Sequence, residues 1–157
     1  IDRCFAIASI EASSVVGGLL GEADATAPEG VVIVNSYAAG SLDAENDLGG
    51  VVGRAKRLAL GAVHTSTAIT GRSGSFCFTA CSEAPVCFID PACFWHKGAV
   101  GADDDVGTGD DLAGGNDLPQ AEFFDTATYV AAAWDFAGVW VAAAGAAPVL
   151  DGLPAQP

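Results

Sequence analysis

LGGVVG at residues 48–53 nearly repeats VGGLLG at residues 16–21. Each is a glycine pair, two branched apolar residues and a further glycine, and the two copies lie about thirty residues apart. Self-similarity at that spacing marks architectures built by stacking one unit on the next. A second element keeps step with the hexads. VVIVNSYAAGSL (31–42) follows the first and GAVHTSTAITG (61–71) follows the second, while RCFAIASIEAS (3–13) precedes the first and ACFWHKG (92–98) comes later. Superimposed, these give the trios Cys4-Phe5-Ala6, Ser36-Tyr37-Ala38, Ser66-Thr67-Ala68 and Cys93-Phe94-Trp95, at successive offsets of 32, 30 and 27 residues.

Within each unit, short β-prone runs (Val31 to Val34; Val63, Thr65, Thr67, Ile69) are broken by Gly or Asp/Asn turns. No long stripe of helical period lies between the hexads. The expectation is an all-β chain, a parallel β-solenoid (β-helix) of three to four short rungs stacked ~4.8 Å apart. Its glycines serve corners where backbones approach closely. The pairs Leu19-Leu20 and Val51-Val52 are expected to place one side chain inward and one outward, with Leu19 over Val51. Unrelated Gly-rich turns in a β-sandwich are the plainer alternative.

This divides the chain into rungs (1–71), a cysteine-rich insertion (72–91), and a last rung with acidic loop, short helix and cap (92–157). The insertion, most of it SFCFTACSEAPVCFIDP (75–91), is too short for its own core. Four of the five cysteines, Cys77, Cys81, Cys87 and Cys93, crowd together without the CxxC knuckles of a zinc site. Two local disulfides among them are expected, with the pairing open, which favours an oxidising compartment. Further on, Asp117 with Gln120 three residues later and Pro119 between them reads as a helix start. Trp134, Phe136 and Trp140 are then expected to cover the open end of the stack, because an uncapped rung exposes core and backbone edge.

Of 157 residues, 51% are hydrophobic, enough for one sizeable core, although Ala and Gly supply much of that count. Twenty acidic against six basic residues give a formal charge of −14, a field that repels nucleic acid and anionic lipid and favours solubility or cation binding. No apolar run approaches the roughly 20 residues of a membrane span, and no signal segment is visible. The chain contains no Met and opens on Ile1-Asp2-Arg3-Cys4 in strand-like sequence, as a trimmed piece of a longer protein would.

VGGLLG…VNSYAAGSL…LGGVVG resembles the repeats of the GLUG-motif family, and CFWHKG…LPQAEFFDTATYVAAAWDFAGVWVAAAGAAPVLDGLP is similar to the tail that often closes such arrays. The resemblance spans nearly the whole chain except 72–91. It implies a right-handed parallel β-solenoid in a large secreted or surface protein, often adhesin-like or peptidase-associated, whose repeats are scaffold or binding surface and not a catalytic centre. His96 stands where an acidic residue is common, and the third unit lacks its hexad.

Several constellations can carry chemistry. Asp103, Asp104, Asp105, Asp110 and Asp111, with Asp117 and intervening glycines, offer oxygen ligands on a bendable loop, so Ca²⁺ is the candidate cofactor. A solvated acidic loop is the other reading. Asp43 and Glu45 share a face of an extended strand, beside Asp47, but glycan cleavage needs a defined carboxyl separation and one apolar pocket. His64 and His96 are the only histidines, and no nucleophile elbow supports a triad with Ser66 or Cys93. His64 is expected on a rung surface. Thr65, Thr67 and Thr70 suggest a flat threonine face, without repetition on other rungs. Tyr37, Trp95, Trp134 and Trp140 can stack on sugars if exposed, but fill cores more often. No catalytic residue is assigned. The expected function is a non-enzymatic extracellular or cell-surface module for structure, assembly or adhesion, with neighbouring repeats or chains stacking on the first rung. The alternative is a carbohydrate-binding module, Ca²⁺-dependent or not, and a polysaccharide-degrading β-helix is a distant third.

Overall fold

The computed structural model describes residues 1–23, 30–74, 77–79, 87–100, 106–108 and 115–153. The chain is mostly strand, and it makes repeated passes that lie side by side in parallel register. The first pass contains β1 (Phe5–Ala12), β2 (Val16–Gly17) and β3 (Leu20–Ala23). The second contains the long β4 (Val31–Gly49) and β5 (Val52–Ala55), and the third β6 (Leu58–Thr65), β7 (Ala68–Gly74) and β8 (Cys77–Thr79). A fourth contributes β9 (Cys87–Ile89), β10 (Phe94–His96), the helical turn α1 (Lys97–Val100) and β11 (Val106–Thr108), after which β12 (Asn116–Leu118) pairs with β10.

The passes build an eight-stranded sheet around β1-β4-β6-β10-β12 and a four-stranded sheet β11-β8-β5-β3. Between the first and second passes the offset is 32 residues in both sheets: Phe5 pairs with Tyr37, Val16 with Leu48 and Leu20 with Val52. From second to third it shortens to 27 where Ser36 meets Val63 and Asp43 meets Thr70, and to 25 past an irregularity after Ala44, where Leu48 meets Ser73 and Val52 meets Cys77. In-register parallel pairing stacks like on like, and Ile33, Leu60 and Ile89 form one such apolar column, each at most 4% exposed. With Val51, Val52, Leu58, Val63 and Trp95 they make one interior cluster.

The two hexads lie in register at a corner between the sheets. The N–H groups of Leu19 and Leu20 both donate to Val51 O, at 2.9 and 3.1 Å. An added Cβ on Gly53 would stand 2.6 Å from Gly21 O, and one on Gly18 would stand 2.6 Å from the Ala38 Cβ, so these positions demand glycine for space. The expected in/out alternation of the apolar pair does not occur. Val51 and Val52 are both fully buried, and Leu19 and Leu20 both pack on the same cluster. The chain bends at this corner, and a bend turns successive side chains to one side where an extended strand would separate them.

A second corner is stacked as well. Arg3, Asn35 and Ala62 occupy corresponding places in successive passes, and all are left-handed, with φ of 52, 48 and 50°. The third trio is also corrected. His64, not Thr67, sits on Tyr37 in the ladder, so Val63-His64-Thr65 replaces Ser66-Thr67-Ala68. Residues 72–91, expected as an insertion, supply β8 and β9 to the ladders, with Cys77 opposite Val52 and Cys87 opposite Leu58.

The C-terminal section holds α2 (Gln120–Phe123), α3 (Thr126–Ala131) and the antiparallel pair β13 (Trp140–Val141) and β14 (Val149–Leu150). Asp117 is not its helix cap: it lies in β12, its carboxylate accepting from Lys97 Nζ at 2.8 Å. Asp125 caps α3 instead, accepting from the Ala127 N–H at 2.9 Å. The section lies along a flank of the stack, where the sequence suggests a lid on its end. Tyr37, His64 and Phe94 belong to three successive passes, and all three rings touch its aromatic residues. This column of large rings is an apolar stripe running across the passes, and burying it draws Phe123, Tyr129, Trp134 and Trp140 to the side.

Candidate functional site

The outward face shared by β1 and β4 follows from strand alternation. Phe5, Ile7, Ser9 and Glu11 alternate with the more covered Ala6, Ala8 and Ile10. Each stands beside its register partner on β4: the Phe5 and Tyr37 ring centroids are 5.5 Å apart, and the Ser9 and Ser41 hydroxyls meet at 2.8 Å. Glu11 lies beside Asp43. These two, with Ser13 and Glu45, line an open groove of about 740 Å³. Asp43 and Glu45 are both exposed and flank the buried Ala44, so they share the face that alternation assigns them. Asp47 leaves that face through a left-handed residue (φ 51°) and meets Arg54 at 3.4 Å. An exposed carboxylate pair has none of the apolar enclosure that makes a general acid.

His64 departs furthest from its expected place on a rung surface. It is fully buried, stacked on Tyr37 with ring centroids 5.1 Å apart and planes within 1°. Trp134, Trp140, Phe123 and Tyr129 surround it at 5.6 to 5.9 Å. Its Nε2 lies 2.8 Å from Pro148 O; a carbonyl only accepts, so the proton is on Nε2. Burial lowers its pKa to about 4, the carbonyl contact opposing only in part. Nδ1 of His64, the Tyr37 hydroxyl and the Trp140 indole N–H are buried without a hydrogen-bond partner. The site therefore holds a neutral imidazole that ties the C-terminal section to the third pass. His96 stacks on Phe123 at 5.4 Å, and burial lowers its pKa too.

Thr65 and Thr67, expected on an exposed threonine face, are buried and bonded to each other at 2.9 Å, with both hydroxyls also aimed at Gly50 O. Trp95, Trp134 and Trp140 fill interiors. Cys93 is a buried free thiol, which removes it from the expected disulfide set, and Cys4 is an exposed free thiol. Apolar burial pushes the Cys93 thiol up to about 12, the wrong direction for a nucleophile. No disulfide occurs among the described residues. Cys81 and the side chains of Cys77 and Cys87 lie outside them, as do Asp103, Asp104, Asp105, Asp110 and Asp111 of the candidate Ca²⁺ loop. Among the described residues no three acidic, His or Cys side chains converge as a metal site, and no helix is long and apolar enough to cross a membrane.

The remaining feature is an edge. Among the described residues β1 pairs only with β4, so one side of an eight-residue strand is free. Phe5 and Ile7 on it are each 39% exposed, and Ile1, beside Ile33 at the end of the interior column, is 47% exposed. No known protein family, curated protein or solved structure matches the chain.

Proposed function

We propose that the chain is a non-enzymatic scaffold, a parallel β-solenoid module of GLUG-like repeats that serves assembly or attachment in a larger secreted or cell-surface protein. The observation that carries this reading is the free edge of β1 above a column of apolar side chains that stops at a half-exposed Ile1. A parallel stack offers the same hydrogen-bonding edge to a further pass or another chain, and an unprotected edge is an assembly surface. The disulfide staple belongs to this reading only through Cys77, Cys81 and Cys87. Ca²⁺ belongs to it only through the aspartates of 103–111.

The groove of Glu11, Ser13, Asp43 and Glu45 favours a second reading, a carbohydrate-binding module in which carboxylates and hydroxyls bond to sugar hydroxyls. A glycan array run with and without chelator separates the two. Silence on every glycan supports the scaffold. Binding abolished by Asp43→Asn assigns the groove to sugar, and binding lost on chelation assigns it to the acidic loop. Turnover of an acidic polysaccharide that Asp43→Asn abolishes would overturn both in favour of a β-helix enzyme.

A further inference from the structure

We infer that the free edge of β1 pairs with the same edge of a second copy of this chain, antiparallel across a two-fold axis centred on Ile7. The inference rests on the reading of that edge as an assembly surface, and it names the partner. The Tyr37 N–H donates to Cys4 O at 3.1 Å while Tyr37 is the register partner of Phe5. In a parallel ladder that pattern directs the backbone groups of Cys4, Ala6, Ala8 and Ile10 to β4, leaving those of Phe5, Ile7, Ser9 and Glu11 along the free edge. The outward-pointing groups thus belong to the same residues whose side chains form the outer face.

Charge selects the orientation. Arg3, at the left-handed corner two residues before β1, and Glu11, near the strand's other end, form no ion pair within the described residues, whereas Arg54 is engaged by Glu22 and Asp47, and Lys97 by Asp117. Parallel self-pairing would set Arg3 on Arg3 and Glu11 on Glu11. Antiparallel pairing centred on Ile7 brings the corner that carries Arg3 on each copy to the strand end that carries Glu11 on the other, twice per dimer, within reach of the long Arg3 side chain. In that register Ile7 faces Ile7 and Phe5 faces Ser9, all on the outward side, so the exposed apolar residues join in one continuous row. The closed two-fold also leaves no edge of β1 for further growth.

Sedimentation equilibrium at neutral pH and low salt tests this. The expected result is a monomer–dimer equilibrium that Arg3→Glu or Glu11→Arg alone weakens about tenfold or more, and that the double exchange restores. Hydrogen exchange on the unmodified chain gives a second readout. Amides of Phe5, Ile7, Ser9 and Glu11 should gain protection as concentration rises, while those of Ala6, Ala8 and Ile10 are protected throughout. A dimer indifferent to the exchanges, or open-ended polymers, overturns the two-fold pairing while leaving β1 as an assembly edge. A monomer at every concentration overturns the pairing, and if the chain also captures no further repeat unit, it overturns the scaffold reading with it.

Discussion

Gly53 and Gly61 make opposite demands on a methyl group. On Gly53 it would meet Gly21 O at 2.6 Å and Val16 O at 2.7 Å, and backbone on a stacked pass has nowhere to go. Gly53→Ala should therefore cost about 1–3 kcal/mol or more in urea unfolding, the range for overpacking with backbone displacement. On Gly61 the nearest atom is the Val34 Cγ1 at 3.5 Å, an ordinary contact, so Gly61→Ala should be neutral or stabilising by a few tenths of a kcal/mol. Equal losses at both would mean that the hexads are not packed backbone to backbone. His64 sets a pH dependence. Its folded pKa of about 4 lies below the unfolded 6.5, so the unfolded chain binds the extra proton. Stability is then complete above pH ~6.5 and falls as pH drops towards ~4, by about 3 kcal/mol in all. The titratable rings packed on it, Tyr37 and Tyr129, are pushed up by burial and stay neutral across that window. Urea unfolding from neutral to pH 4 should show this slope, and His64→Phe should remove most of the difference. A wild type as flat as the variant would place the imidazole in solvent.

Left-handed residues set the corners of the strands. Asn35 suits one: its side chain tolerates positive φ, and its Nδ2 donates to Asp2 Oδ1 at 3.0 Å. Ala62 stands at the same corner one pass later with φ of 50° and no such compensation. A left-handed non-glycine costs roughly 1–2 kcal/mol. Ala62→Asn should thus raise stability by about 0.5–1 kcal/mol, read as a higher urea midpoint with unchanged slope. A loss would show that Ala62 is held by its packing against the aromatic cluster. These corners explain what is and is not legible in the sequence. The glycine hexads are legible because only glycine fits there, and they lie in the register that their repetition suggests. The trio at Ser66-Thr67-Ala68 misleads because the repeated pattern accepts Thr at its centre and small residues beside it, whereas the ladder sets the ring of His64, three residues earlier, on Tyr37. Burial of His64 is hidden for a related reason. Its alternation matches that of an exposed strand, and only the distant Phe123, Tyr129, Trp134 and Trp140 make that face an interior. The helix start at Asp117 fails because a strand pairing with β10 and an ion pair to Lys97 take the residue first.

At the scale of the whole molecule, parallel stacking sets residues of successive passes side by side, and on the outer face of β1 and β4 it sets carboxylate beside carboxylate. Glu11 stands beside Asp43, while Arg54 and Lys97 are the basic residues whose described ion pairs bridge stacked passes, to Glu22 and Asp117. The contest is between the self-repulsion of a formal charge of −14 and a few exposed pairs. Exposed pairs contribute a few tenths of a kcal/mol each and are lost in salt. Repulsion spread over the surface of a compact acidic chain opposes folding and is screened over the same range, as the Debye length falls from ~30 Å at 0.01 M to ~10 Å at 0.1 M. The repulsion outweighs the pairs because carboxylates outnumber basic groups twenty to six. Raising NaCl from about 0.01 to 0.3 M at neutral pH should therefore raise the melting temperature of the dilute chain by roughly 2–4 °C, equivalent to about 1 kcal/mol for a chain of this length. Arg54→Gln should steepen that rise, since the variant lacks the cross-pass pairs that salt would otherwise weaken. A melting temperature that falls with salt would mean that the bridges between passes, not the charge they offset, govern how tightly the stack holds.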